Sequence, residues 1–398
     1  MEEKLEKIVS LAKRRGFIYP GSEIYGGLAG TWDYGPLGAE LLYNIKETWW
    51  KKFVSGRDDM YGLASSIMMP EAVWAASGHL EHFVDPLEDE KFNTMFKSKA
   101  GALKGETATV YLRPELAQGM FVNFKNIVDS YHPKIPFGIA QIGRCFRNEI
   151  SPRDFLFRVR EFDLMEFEYF VREKDWEKYF EYWKKEMWDW IKEIGIDKKK
   201  VHELEVPKDE LAHYSKRTID FEYDFPFGRK ELYGLAYRTD HDLKNHKLDY
   251  YDEEIKEKFI PHVIEPTFGA GRTVLALLCG AYEEDEMGGE KRIVLKLKPQ
   301  IAPVKVAVFP LLANKENLIV KAKQVYEILK PEMSAAWDDN GNIGKRYRRQ
   351  DEIGTPWCVT IDFETLENDT VTIRDRDIGK QERLDIKKII CYIKDRSK

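Results

Sequence analysis

Cysteine is scarce and scattered in this chain: Cys145, Cys279, Cys358 and Cys391 stand far apart, with no CxxC pair. That spacing argues against a zinc cluster or a disulfide framework and predicts buried structural thiols. No apolar run approaches the length needed to span a bilayer. The first ten residues mix charges with Leu5, Ile8 and Val9, which predicts a short amphipathic helix rather than the apolar core of a secretory signal. Internal repeats and low-complexity tracts are missing too. These absences point to a cytoplasmic chain with no membrane partner.

What is present is a chain of 398 residues, 43% hydrophobic and 33% charged. Those proportions fit a soluble globular protein, and the length suggests two domains. The net charge of −6 hides an asymmetry. From Ile301 onward there are 18 basic and 16 acidic residues, a balance of +2 against −8 for the remainder. Local field matters more than total charge for RNA contact, so composition leaves a nucleic-acid partner open.

The stretch from Leu295 to Pro303 carries two prolines and precedes a strand-like run, Val304–Phe309, which marks a domain boundary. The domains expected are residues 1–300 and 301–398. In the second, strands at 304–309, 357–363 and 370–374 alternate with helices at 316–329 and 386–393, a small α/β unit. In the first, Gly38–Phe53 has helical spacing, with Leu41, Leu42, Ile45, Trp49 and Trp50 on one broad face. A Trp/Lys/Glu-rich amphipathic helix follows Asp175, inside what reads as an inserted helical segment at about 172–215.

The densest chemistry lies between Gly138 and Val171. A strand ending at Phe146 leads into Arg147-Asn148-Glu149, then a turn with Pro152, then a return strand over Phe155–Val171. Alternation along that return strand places Arg158, Arg160, Phe162, Leu164 and Glu166 on one face. Two guanidiniums followed by a carboxylate suit a ligand with phosphates at one end and an ammonium at the other. Arginine's planar fork binds phosphate oxygens bidentately, each charge-assisted bond netting roughly 1.5–3 kcal/mol. The competing reading is a surface ion-pair ladder.

Here a family resemblance becomes specific. Phe146-Arg147-Asn148-Glu149, with Phe157-Arg158-Val159-Arg160-Glu161-Phe162, resembles motif 2 of the class II aminoacyl-tRNA synthetases in their glycyl form. Gly269-Ala270-Gly271-Arg272, opening the run to Leu278, resembles motif 3. The helix after Trp32–Gly38 and the strand ending at Pro70 resemble motif 1, the dimerisation element. A lone Gly-x-Gly-Arg is weak; three motifs in order are strong. Four further segments resemble the glycine pocket of that family: Leu112–Gly119, Phe162-Asp163-Leu164-Met165-Glu166, Glu231–Asp240 and Glu265-Pro266-Thr267-Phe268-Gly269.

The resemblance implies an α+β fold: an antiparallel catalytic sheet flanked by helices, plus a C-terminal α/β anticodon-binding domain. It implies glycine, ATP and tRNA(Gly) as substrates, Mg2+ as the metal, no zinc, and a homodimer. Glu115, Glu166 and Glu265 would gather around the glycine ammonium, since three carboxylates repel unless a cation joins them. The alternative is that each pairs separately with a structural arginine such as Arg113 or Arg238. Arg147 would hold the α-phosphate against the glycine carboxylate. Arg272 would neutralise the γ-phosphate, and Glu149 would read the adenine. Glu231 is the implied Mg2+ ligand, with Leu232 beside it. Lys345, Arg346, Arg348 and Arg349 around Tyr347 would meet the RNA, although a basic run is more often a solvated face.

Relatives commonly have Thr where this chain has Leu116 and Ser where it has Thr267, and many carry an insert near Asp85–Lys91 that is almost absent here. Two rival readings keep the fold. A non-catalytic accessory protein would be free to lose the motif arginines, yet Arg147, Arg160 and Arg272 are present. A sister synthetase for proline, threonine, serine or histidine would lack Arg113-Pro114-Glu115 and the segment from Glu265 to Gly269.

Overall fold

A computed structural model describes residues 2–87, 90–103 and 107–397. Its largest sheet has seven strands: Met60–Gly62 (β1), Phe137–Phe146 (β2), Glu161–Val171 (β3), Val201–Glu205 (β4), Arg217–Phe225 (β5), Gly228–Thr239 (β6) and His262–Gly269 (β7). The spatial order is β4-β5-β6-β7-β3-β2-β1, antiparallel except for the β1–β2 edge pair.

The interior strand β3 reads Glu-Phe-Asp-Leu-Met-Glu-Phe-Glu-Tyr-Phe-Val and is buried on both faces. Met165, Phe167 and Tyr169 point to one side, where helices Pro36–Trp50 (α2), Trp176–Glu193 (α3) and Ala270–Ala281 (α4) cover the sheet. Trp49 and Trp183 meet Phe167 at ring-centroid distances of 6.1 and 4.6 Å. Phe53 and Trp190 meet Phe268 at 5.3 and 6.2 Å. Removing one such ring costs about 3–5 kcal/mol. Helix α2 crosses closely because Gly38 has no side chain: a Cβ there would lie 1.8 Å from the Phe17 carbonyl oxygen.

Helix α3 is therefore a core layer, and the expected insertion at about 172–215 is revised. The helix ends at Glu193, and Val201–Glu205 joins the main sheet as its edge strand. The reason is its apolar stripe, which includes Trp183, Met187 and Trp190 and needs a sheet to cover. The return strand is also shorter than expected, starting at Glu161. Asp154 and Phe155 adopt left-handed φ values of 59° and 58°, breaking the alternation before Arg158 and Arg160.

Near Asp85, strands Val84–Leu87 and Glu90–Asn93 form a hairpin; Glu88 and Asp89, within the expected insert position, lie outside the described residues. Met1 lies outside them too, and the predicted first helix is Glu2–Arg14 (α1).

The C-terminal unit is a five-stranded mixed sheet: Val306–Pro310 (β8), Ala335–Trp337 (β9), Trp357–Ile361 (β10), Thr370–Asp375 (β11) and Gln381–Asp385 (β12), ordered β9-β8-β10-β11-β12. Helix Glu316–Leu329 (α5) has the predicted bounds and buries Leu318, Ala322, Val325 and Leu329 on one face. Helix Ile343–Ile353 (α6), unforeseen because its hydropathy is low, sits on the other face through Ile343 and Tyr347. Cys145, Cys279 and Cys358 are buried as expected, whereas Cys391 is exposed.

Candidate active site

The face of β3 opposite the aromatic layer borders a cavity of about 340 Å³. Strand register assembles its acidic end. Glu166 on β3 lies opposite Thr267 on β7, and Glu265 lies opposite Ala236 on β6. Thr267 Oγ1 is 3.2 Å from both Glu166 Oε2 and Glu265 Oε1, close enough to donate to either carboxylate. Glu115 enters from the loop before the short helix Ala117–Phe121, and all three glutamates line the cavity.

Arg238, fully buried on β6, serves several of these groups at once. Its Nε and Nη2 donate to Asp242 at 2.8 and 3.0 Å, its Nη1 donates to Glu265, and Nη2 lies 3.8 Å from Glu115. Tyr214 stacks on the guanidinium at 3.7 Å. Arg113 plays no such part: it donates to the backbone oxygens of Arg144 and Ser65. The alternative of separately paired carboxylates thus meets one shared arginine.

The same burial has opposite outcomes for the carboxylates. Burial alone would raise the Glu115 carboxyl, but His79 and Arg238 hold it well below the usual range. His79 Nε2 is 3.1 Å from Glu115 Oε2, and Ser77 Oγ holds the other ring nitrogen at 2.8 Å. Gln118 donates to both Glu115 and Asp242. Glu166 is pushed up by burial and by the charges of Glu265 and Glu115. Burial raises Glu265 as well, only partly offset by Arg238.

The other end of the cavity is basic. Arg147 donates to the Pro114 carbonyl at 3.2 Å and lies between the rings of Phe83 and Phe162, 5.3 and 5.2 Å away. Arg272, at the start of α4, stacks over Phe157 at 4.5 Å and pairs with Glu231 at 3.0 Å. Its charge lowers the Glu231 carboxyl. Arg158 donates to Glu149 at 2.6 Å. Arg147 and Arg272 face the same cavity as the three glutamates.

Most residues expected in the site border this cavity, including Val159, Leu164, Leu232, Gly269 and Gly271. Others do not. Arg160 donates to the Ala29 and Glu149 carbonyls and clamps the loop, because it precedes the strand. Glu161 turns its carboxylate to Arg144; Asp163 does the same and also accepts from Lys46 at 2.6 Å, although it borders the cavity. Met165 and Phe268 face the aromatic layer on the opposite side of the sheet. Asn148, Pro266 and Ala270 lie beside the cavity without lining it.

Sequence reasoning missed Asp220 and Tyr214 in the lining, and His79 behind Glu115. Asp220 is pushed up to about 7 by burial and by neighbouring Glu231 and Glu222. Its alternation with Glu222 on a strand pairing with the Glu231 segment was the available signal.

The departures at Leu116 and Thr267 have different meanings. Leu116 points away from the cavity into an apolar cluster with Phe121 and Phe170, so no hydroxyl is lost from the site. Thr267 keeps the hydroxyl that joins Glu166 to Glu265. In the C-terminal domain, the basic run proves largely structural. Arg346 is buried and donates to the carbonyls of Pro310, Asp339 and Gly341; Arg349 pairs with Asp338; Arg348 donates to the Met287 carbonyl. Tyr347 packs against Phe309 and bonds Thr360, which leaves Lys345 as the exposed cation of the four.

An antiparallel sheet that carries an acidic pocket beside a nucleotide-sized basic cleft, with an arginine at the first turn of the helix after its last strand, defines a class II tRNA synthetase core. The family model described as tRNA synthetase class II core domain (G, H, P, S and T) matches residues 97–280, and that described as anticodon binding domain matches 305–396. The chain is 45% identical to the glycine--tRNA ligase of Clostridium acetobutylicum, over all of this chain and 99% of that protein. It is 44% identical to that of Caldanaerobacter subterraneus, covering 99% and 98%, and 43% identical to that of Macrococcus caseolyticus, covering 100% and 99%. The chain belongs to the glycine--tRNA ligase family. The first alignment runs over 462 positions against 398 residues, so that relative carries stretches that this chain lacks.

Proposed function

We propose that glycine and ATP bind together in this cavity, the amino acid at its acidic end and the nucleotide along its basic end. The reaction is ATP-dependent activation of glycine to glycyl-adenylate, followed by transfer of glycine to tRNA(Gly). The observation that carries the site assignment is the convergence of Glu115, Glu166 and Glu265 on the cavity that Arg147 and Arg272 also face.

Glycine's ammonium is the cation this acidic end lacks, with Glu166 and Glu265 as its main partners. Its carboxylate attacks the α-phosphate in line with departing pyrophosphate. Arg147, held by Phe83 and Phe162, draws these two anions together. Arg272, stacked on Phe157, neutralises charge toward the γ-phosphate, while Arg158 fixes Glu149 for the adenine. No side chain acts as nucleophile; positioning and charge stabilisation lower the barrier. Asp220 and Glu231, neighbouring carboxylates in the lining, would hold Mg2+, which would screen the phosphate charges when bound. Nothing smaller than glycine exists among amino acids, so a filled pocket rejects alanine by clash and needs no editing.

The domain boundary is placed at residue 300, with residues 301–398 as the anticodon-binding unit. A homodimer through the motif 1 region is supported by exposed apolar side chains at Ile24, Tyr25, Leu28 and Tyr43. Among the described residues no helix is long and apolar enough to cross a membrane.

The test is amino-acid-dependent ATP–pyrophosphate exchange. Glycine should support exchange and alanine should not. Exchange with alanine or proline but not with glycine would overturn the pocket assignment.

A further inference from the structure

Behind the glycine pocket lies a carboxyl that the mechanism above does not use. Glu168 follows Glu166 by two residues on β3, so both project from the same face. Glu168 is fully buried and does not reach the cavity. Neither of its carboxyl oxygens has a hydrogen-bond partner among the described residues, and Glu166 Oε1 has none either. Oxygens of Glu166, Glu168 and Glu265 lie within 4.8 Å of one another.

An ionised carboxylate only accepts hydrogen bonds, so three of them facing each other supply no donor. The charges do not balance either. Glu115, Glu166, Glu168, Asp242 and Glu265 are grouped around Arg238, while His79 is bonded to Glu115. Asp242 takes two donors of Arg238 and Glu265 takes a third. Thr267 lies within reach of Glu166 and Glu265, and glycine adds one ammonium at the cavity. Glu168 receives nothing. The smallest species that satisfies it is a proton, which converts an acceptor into a donor.

We propose that Glu168 is a positioning residue for glycine: held as the neutral acid, it donates its carboxyl proton to the Glu166–Glu265 pair and fixes how those two carboxylates meet the ammonium. This rests on the glycine-pocket reading above. Burial, then the charges of Glu265 and Glu166 beside it and of Asp242 beyond, favour the protonated form, and Arg238 opposes them. A buried acid kept neutral so that it can donate is a known use of an apolar setting.

Glu168→Gln keeps shape and a donor without the acid; Glu168→Leu removes the donor. Glycine KM in pyrophosphate exchange should stay within about threefold for Glu168→Gln and rise about tenfold or more for Glu168→Leu. ATP KM should move in neither. Infrared spectra of the unmutated protein should contain a protonated-carboxyl stretch that shifts when glycine binds and vanishes in Glu168→Gln. That measurement decides the matter even if the leucine variant does not fold. Three results would overturn the proposal: equal KM rises in both variants, no such band, or glycine binding without ATP that is lost on chelation and restored by Mg2+. Glu166→Gln is the control for the pocket itself. If it leaves glycine KM unchanged the pocket reading falls, while the infrared band still reports the Glu168 proton.

Discussion

Two buried ionic networks in this molecule differ in one respect that separates their tasks. Between the hairpin Tyr282–Met287/Glu290–Leu295 and the C-terminal domain, Arg292 donates to Asp285 at 2.6 and 2.9 Å and to Asp351 at 3.1 Å. Arg374 donates to the same Asp351 at 2.9 and 3.1 Å. Two arginines meet two aspartates, and every charge has a fixed partner. In the proposed glycine pocket, five carboxylates surround Arg238 and the surplus is negative. A balanced network holds two domains together. An unbalanced one is poised to take up a cation, which in the proposed binding mode is the glycine ammonium.

The largest effect should come from breaking the balanced network. Asp351→Ala leaves Arg292 and Arg374 short of a buried partner and should lower stability by about 3–5 kcal/mol, read as a drop in Tm, with exchange kinetics of the folded fraction unchanged. At the other site the loss should be kinetic. Arg147→Ala should cut glycine-dependent exchange by about 10²–10³ with little change in Tm. Glu166→Gln removes one charged partner of the ammonium and should raise glycine KM on the order of tenfold or more, sparing ATP KM.

A smaller effect concerns pH. A carboxyl whose proton is bound more tightly in the folded state stabilises the fold below the ordinary value of 4.5 and loses that contribution as pH rises; Glu166, Glu168 and Glu265 are of this kind. Glu115 runs the other way, its contribution present above 4.5 and lost in acid. Denaturant midpoints should fall as pH rises above 4.5 in the unmutated protein and fall less steeply in Glu168→Gln. Smallest of all, Arg348→Ala removes a partly exposed contact with Glu290 and should change stability by about 0–1 kcal/mol. A large selective loss of tRNA charging in that variant would return Arg348 to the RNA surface.

Much of the site was legible because its chemistry is carried by short contiguous segments. Arg147 and Glu149 follow one strand, Glu166 lies on the next, and Glu265 and Thr267 sit just before Gly269 and Arg272. Period-two alternation put Glu166 on the face that borders the cavity, and Arg158 borders it too, whereas Arg160 turns to the Ala29 and Glu149 carbonyls because the strand begins only at Glu161. His79 carried no local signal, since its meaning comes from Glu115 across a fold contact. The basic run at 345–349 misled for the opposite reason: composition suggested solvent and RNA, but the carbonyls of Pro310, Asp339 and Gly341 hold Arg346, the Asp338 carboxylate holds Arg349 and the Met287 carbonyl holds Arg348.

The sequence by itself determined the family, the two-domain plan and the residue types at both ends of the cavity, because motif order and side-chain chemistry are properties of the chain. Only the tertiary structure decided which charges share one site, which arginines serve the fold, and that Glu168 stands behind the pocket without a donor. Pairing depends on distances across strands and domains, and those are set when the sheet closes its register and the aromatic layer seals one face.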